Sequence, residues 1–211
     1  MKGIKAGRKG EDVFDPRVLL SFSVLLYLPF VNQVYESFAL SAGEDLLQTP
    51  ASPWKVSSWF NSQPLELKDL KGKVILVRWW TAPECPYCSA SAPALNEFYE
   101  LYHEKGLELI GLYHHKSYKP LQKEDVERYA HEFGFQFPIA IDDDWQTLRS
   151  WWLDKGNQEW TSVTFLLDRQ GLIRHIHPGG QYVKGDEVYQ ELQRMIETLL
   201  KESPPSIVHS P

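Results

Sequence analysis

The stretch Val74-Ile75-Leu76-Val77-Arg78-Trp79-Trp80-Thr81-Ala82-Pro83-Glu84-Cys85-Pro86-Tyr87-Cys88 decides the fold. Val74 to Trp80 is a nearly continuous run of strand formers, the pattern of a central strand buried on both faces. Cys85 follows five residues after Trp80. Beyond it, Leu95, Phe98, Tyr99 and Tyr102 fall at helical spacing, so the CPYC motif opens a helix. A thiolate is the nucleophile in disulfide exchange. Free N–H groups and the dipole at a helix start favour that negative charge. Cys85 is therefore the expected attacking thiol, and Cys88, one turn on, the expected resolving thiol. Pro86 suits a first helical turn because it lacks an N–H and has a fixed φ. Tyr87 belongs at the exposed rim, and Pro93 predicts a kink.

These are the only two cysteines in 211 residues. The thiol chemistry is in this motif or nowhere, and neither a disulfide framework nor a four-cysteine zinc site can be built. The length allows one α/β domain with a short extension. A formal net charge of −6, with no basic cluster, excludes an evident nucleic-acid footprint.

Outward from the motif, the leader of residues 1–17 mixes both charge signs. Val18 to Val31 is free of charge. Fourteen such residues are short for a spanning helix and suit a signal-peptide core or a membrane anchor, with Ala39-Leu40-Ser41 offering small residues for cleavage. Export or tethering is the expectation for residues 1–41, and a cytoplasmic chain the alternative. Residues 42–57, with Gly43, Pro50 and Pro53, read as a linker. A domain over 58–202 and a loose Pro/Ser-rich tail over 203–211 complete the division.

Within the domain, Leu65-Glu66-Leu67 alternates as an edge strand would. Leu107–Tyr113 reads as a second buried strand, Val126 to Phe133 as an amphipathic helix stopped by Gly134, Phe137–Ile141 as a short strand and Trp145–Trp152 as a short helix. Val163–Leu167 and Leu172–Ile176 form a hairpin across Asp168-Arg169-Gln170-Gly171, and Val188 to Leu199 a last helix. The order is β–α–β–α–β–(α)–β–β–α. It predicts an α/β fold whose central mixed sheet has helices on both faces.

Leu67-Lys68-Asp69-Leu70-Lys71-Gly72-Lys73-Val74-Ile75-Leu76-Val77, the pair Trp79-Trp80, the CPYC and Thr164-Phe165-Leu166-Leu167-Asp168-Arg169-Gln170-Gly171 together resemble the TlpA-like thiol–disulfide oxidoreductases. The resemblance covers about residues 58–202. It implies a thioredoxin-like fold and a reductase often tethered in the bacterial periplasm. It also implies a redox-active Cys85–Cys88 disulfide with no other cofactor, protein disulfides as substrates and an upstream thiol reductant. Trp80, Pro86, Tyr87, Thr161 and Ser162 would border the substrate groove.

The chain departs from the family pattern at three places. The position of the family's cis-proline is Ser162, the glutamate after the second cysteine is Ser91, and Glu84 replaces the usual aromatic with one extra residue before it. A carboxylate at Glu84 is expected to raise the Cys85 pKa and so favour a reductant. The serine at 162 leaves open a metal-binding module or copper chaperone, with Cys85, Cys88 and His114 or His115 as ligands, soft thiolate and imidazole suiting Cu(I) or zinc. A decayed redox domain that only binds a partner is the third possibility. Resemblances to glutaredoxins (Gly179-Gly180) and peroxiredoxins (where Ala82 replaces the expected threonine) are weaker. His175 and His177 alternate on one strand and share a face. Trp79, Trp151 and Trp152 are expected in packing. Asp142-Asp143-Asp144 suits a helix start, and Asp168 with Gly171 suits the hairpin turn.

Overall fold

The computed structural model describes residues 43–156 and 158–202. The charged leader, the apolar run 18–31 and the tail 203–211 lie outside them, so the expected signal or anchor does too. Among the described residues no helix is long and apolar enough to cross a membrane.

Among the described residues six strands make one mixed sheet: β1 (Trp59–Phe60), β2 (Val74–Trp80), β3 (Leu107–Tyr113), β4 (Ile139–Ile141), β5 (Thr164–Leu167) and β6 (Ile173–His177), in the spatial order β1-β4-β3-β2-β5-β6. β2, β3 and β4 run parallel, while β5 is antiparallel to β2, β6 to β5 and β1 to β4. The long apolar runs of β2 and β3 lie at the centre, buried along their whole length. This is the expected signature of strands covered on both faces. Among the described residues four α-helices cover the sheet: α1 (Pro86–Tyr102), α2 (Lys123–Glu132), α3 (Gln146–Trp151) and α4 (Glu187–Lys201).

Strand alternation splits the core into two layers. Val74, Leu76 and Trp80 face a layer with Cys88, Leu95 and Phe98 of α1, Val126 of α2 and Leu192 and Ile196 of α4. Ile75, Val77 and Trp79 face the other, with Leu148 and Trp151 of α3. The thioredoxin-like α/β arrangement expected above is the one observed. α1 continues through Pro93 to Tyr102.

Two local expectations need correction. Leu65–Leu67 is not an edge strand; Leu67–Leu70 is a 3-10 turn. The Glu66 N–H donates to the Asp69 carboxylate at 3.0 Å, and a side chain three residues on draws the chain into a turn. The edge strand is instead β1, two residues long, with Trp59 opposite Ala140 and Phe60 opposite Ile139. Residues 43–57, irregular as their glycine and prolines demand, are tied to the domain rather than loose. The Gln48 and Ala51 N–H groups donate to the Ile173 and Gly171 carbonyls, and the Ser57 N–H to Ile141. Trp54, buried on the second layer, donates its indole N–H to the Leu65 carbonyl at 2.8 Å.

Candidate active site

β2 delivers the chain to the sheet's C-terminal edge at Trp80. The Cys85 N–H then closes a turn on the Ala82 carbonyl at 3.0 Å, and α1 begins. Cys85 is the N-cap (φ −76°, ψ 109°) and Pro86 the first helical residue. Both sequence expectations for these positions are met. The Cys85 sulfur stands where a capping oxygen would stand, facing donors that have no helical partner. Its carbonyl accepts from the Cys88 and Ser89 N–H groups, both at 3.1 Å. Cys85 is half-buried and Cys88 buried; both are free thiols, with their Sγ atoms 2.8 Å apart.

That asymmetry sets the chemistry. The Cys85 thiol is lowered to about 6. The Cys88 S–H donating to it is the largest cause, the backbone N–H groups of Cys88 and Tyr87 and the Arg78 charge add to it, and burial opposes. Cys88 is pushed well up by that same bond and by its burial. One thiol is thus half-buried and inclined to ionise near neutrality, and the other is buried and held protonated. The upward push expected from Glu84 does not prevail. Glu84 is exposed to solvent, and water screens its charge while the helix N–H groups act on the sulfur directly.

The groove residues divide. Tyr87 is exposed at the rim, and its ring meets Trp160 edge-on at 5.4 Å. Trp160, half exposed, is a rim residue that the sequence reading passed over. It lies against Gly179, where a Cβ would come within 2.3 Å of the Trp160 Cβ. Pro86 is exposed beside Tyr87. The expected groove role of Trp80 does not hold, because its period-two partners turn it into the core against Tyr113, Phe133 and Phe135. Thr161 and Ser162 are buried as well. The Thr161 hydroxyl bonds His114 Nε2 at 2.9 Å, and the Ser162 hydroxyl accepts the Gly180 N–H at 3.1 Å. Their side chains tie the segment before β5 to the residues that follow β3 and β6. A cleft of about 400 Å3 is lined by Cys85, Glu84, Ala82, Tyr113, His115 and Tyr129.

The alternative metal set does not assemble. His114 is fully buried and held by Thr161, and burial lowers it to about 3. His115 bonds the Tyr113 hydroxyl at 3.2 Å and the Lys119 carbonyl at 2.6 Å. Among the described residues no three His, Cys, Asp or Glu side chains cluster closely enough to hold a metal ion. The other candidates have structural work. Asp142 accepts from the Thr147 and Leu148 N–H groups at the start of α3, and Asp168 from Gln170 and Leu172 across the hairpin turn. Ser91 accepts the Tyr182 N–H at 3.2 Å.

Residues 60–192 match the Redoxin family. The chain belongs to that family. Two curated relatives are similar to it. The thiol-disulfide oxidoreductase ResA of Geobacillus thermodenitrificans is 28% identical over 162 residues, which cover 77% of this chain and 83% of ResA. Protein DipZ of Mycobacterium tuberculosis is 29% identical over 155 residues, covering 72% of this chain and 21% of DipZ. The match thus spans about a fifth of DipZ's length. Among solved structures, a thiol-disulfide isomerase from Corynebacterium glutamicum superposes with a TM-score of 0.56 and 28% identity, over 72% of this chain and 98% of that one.

One buried residue of this redoxin site had a signal in the sequence that went unused. Arg78 is the single charge inside the apolar run of β2, and only 1% of it is exposed.

Proposed function

We propose that this redoxin is a thiol–disulfide oxidoreductase that reduces disulfides in partner proteins. The observation that carries this is the unequal thiol pair at the start of α1, one sulfur accessible and held to about 6, the other buried and held up. The Cys85 thiolate attacks one sulfur of the substrate disulfide, forming a mixed disulfide and releasing the first substrate thiol. Cys88 loses its proton and attacks Cys85, and the second substrate sulfur leaves as a thiolate that takes up a proton. Two electrons pass to the substrate, and Cys85–Cys88 becomes a disulfide that an upstream thiol reductant restores. The redox group is that disulfide itself.

The reducing direction has support in the Cys85 value. It lies nearer to thioredoxin, about 7, than to the oxidant DsbA, about 3.5. The names of the ResA and isomerase relatives agree with exchange chemistry. A place outside the cytoplasm, by secretion or by a tether, rests on the apolar run Val18–Val31. Fractionation with an antibody tests it, and intact chain confined to the cytosol would contradict it.

Turbidity from insulin reduction in the presence of a small dithiol tests the activity. The wild-type chain accelerates it, Cys85→Ala abolishes the acceleration, and Cys88→Ala accumulates covalent mixed disulfides. Cys85→Ala turning over like wild type would contradict the assignment.

A further inference from the structure

By strand alternation Arg78 shares a sheet face with Val74, Leu76 and Trp80, which pack in one core with Cys88 and Tyr182. Its guanidinium is therefore buried on the side of the sheet that carries α1 and the dithiol. Its Nη1 donates to the Ser162 carbonyl and, at 3.2 Å, to Thr164 Oγ1; its Nη2 donates to the Gly180 carbonyl at 2.8 Å. The guanidinium carbon lies 5.1 Å from the centre of the Tyr182 ring, and the Tyr182 N–H is fixed to Ser91 of α1. Each of these partners is neutral. Among the described residues no carboxylate pairs with Arg78, and its Nε has no partner. A buried cation without a counter-ion is costly, so a fold that keeps one gains when an anion forms beside it.

The surrounding titratable groups do not supply that anion. From β6, His175 and His177 are held neutral by burial, His177 at about 4. From the end of β3, His114 is held at about 3. Tyr113 and Tyr182 are raised by burial and stay protonated. Glu84, before α1, Lys116, after β3, and Glu191, on α4, are exposed, and the Asp186 carboxylate at the start of α4 is taken by the Val183 and Tyr189 N–H groups. The two thiols remain, and the Arg78 charge lowers both.

We propose that Arg78 is the buried counter-cation of the dithiol, a positioning residue whose charge stabilises the Cys88 thiolate as it resolves the mixed disulfide. This rests on the oxidoreductase assignment above. In that step the Cys88 thiolate forms the Cys85–Cys88 bond, the bond from Cys85 to the substrate sulfur breaks, and the substrate sulfur leaves with the electron pair. The Cys88 proton goes to solvent, and the leaving thiolate takes one up. Charge rather than a nearby base makes the buried thiol reactive.

Reaction of the full reduced chain with an aromatic disulfide reagent isolates this step. Cys85 attack releases the first coloured thiolate, and Cys88 attack releases the second. Arg78→Met is expected to slow the second phase about tenfold and to move its pH midpoint up by roughly one pH unit. Arg78→Lys, which keeps the charge, is expected to retain most of the rate. Arg78→Gln serves in place of Arg78→Met should that variant not fold. A folded neutral variant with the wild-type second phase and midpoint would overturn the proposal. So would Arg78→Lys slowed as much as Arg78→Met, because the geometry of the guanidinium would then matter and its charge would not. The reagent needs no protein substrate. A wild-type chain inert towards protein disulfides would count against the oxidoreductase assignment while leaving this test intact.

Discussion

At the scale of single residues, the site works through an inequality between two identical side chains. Cys85 and Cys88 differ because one caps α1 and the other is buried within its first turn. The pH dependence of the reduced protein follows. The folded Cys85 thiol is lowered to about 6, below its unfolded value near 9.0, so the unfolded chain binds more protons between those limits. The stability of the reduced form therefore rises from pH 6 to pH 9. Above that window the raised Cys88 reverses the trend. The disulfide form lacks both effects. Urea denaturation of both forms across this range checks it, and parallel pH curves would contradict it. A second window lies lower. His114 and His177 are held at about 3 and about 4, below an unfolded value of 6.5. Stability should fall in either redox state as the pH drops from 6.5 towards 4, and His114→Gln should flatten part of that slope.

The elements hold the site by close approach. Gly111 of β3 pairs with Arg78 of β2, and a Cβ there would meet Ile139 Cδ1 at 2.6 Å and the Trp80 indole nitrogen at 3.1 Å. Gly111→Ala should cost about 1–3 kcal/mol by overpacking, read from denaturation midpoints. Gly179, at φ 146°, should tolerate alanine no better, and displacement of Trp160 should show in tryptophan fluorescence. The long elements were legible because their periods are unambiguous. β2 and β3 are apolar runs, and Val188, Leu192, Ile196 and Leu199 mark α4 at helical spacing. The short ones were not. β1 is two residues long, too short to show a period, and the alternation at Leu65–Leu67 concealed a turn set by Asp69. The placement of the two cysteines at the start of α1 could be read from sequence because a helix start is a local property. Trp160 and the bracing by Thr161 and Ser162 were hidden because they depend on segments distant in the chain meeting in space, Trp160 with Tyr87, Thr161 with His114, and the Ser162 carbonyl with the Arg78 guanidinium.

Across the whole molecule, the segment 43–57 crosses the second core layer and ties β6 to β4 through backbone bonds. Its anchor is Trp54, and Trp54→Ala should cost about 3 kcal/mol while leaving the Cys85 titration unchanged, since it lies in the layer away from the thiols. The redoxin fold thus separates two tasks. One layer carries stability alone, and the other carries both stability and the dithiol. On the proposed function Cys85 and Cys88 form a reversible two-electron couple poised for reduction. Equilibration of the chain with defined thiol–disulfide buffers, followed by alkylation and mass measurement, reads the poise of that couple. A single two-electron transition is expected, closer to thioredoxin at about −270 mV than to DsbA at about −120 mV. A pair that stays reduced in every buffer, or a transition at the DsbA end, would contradict it.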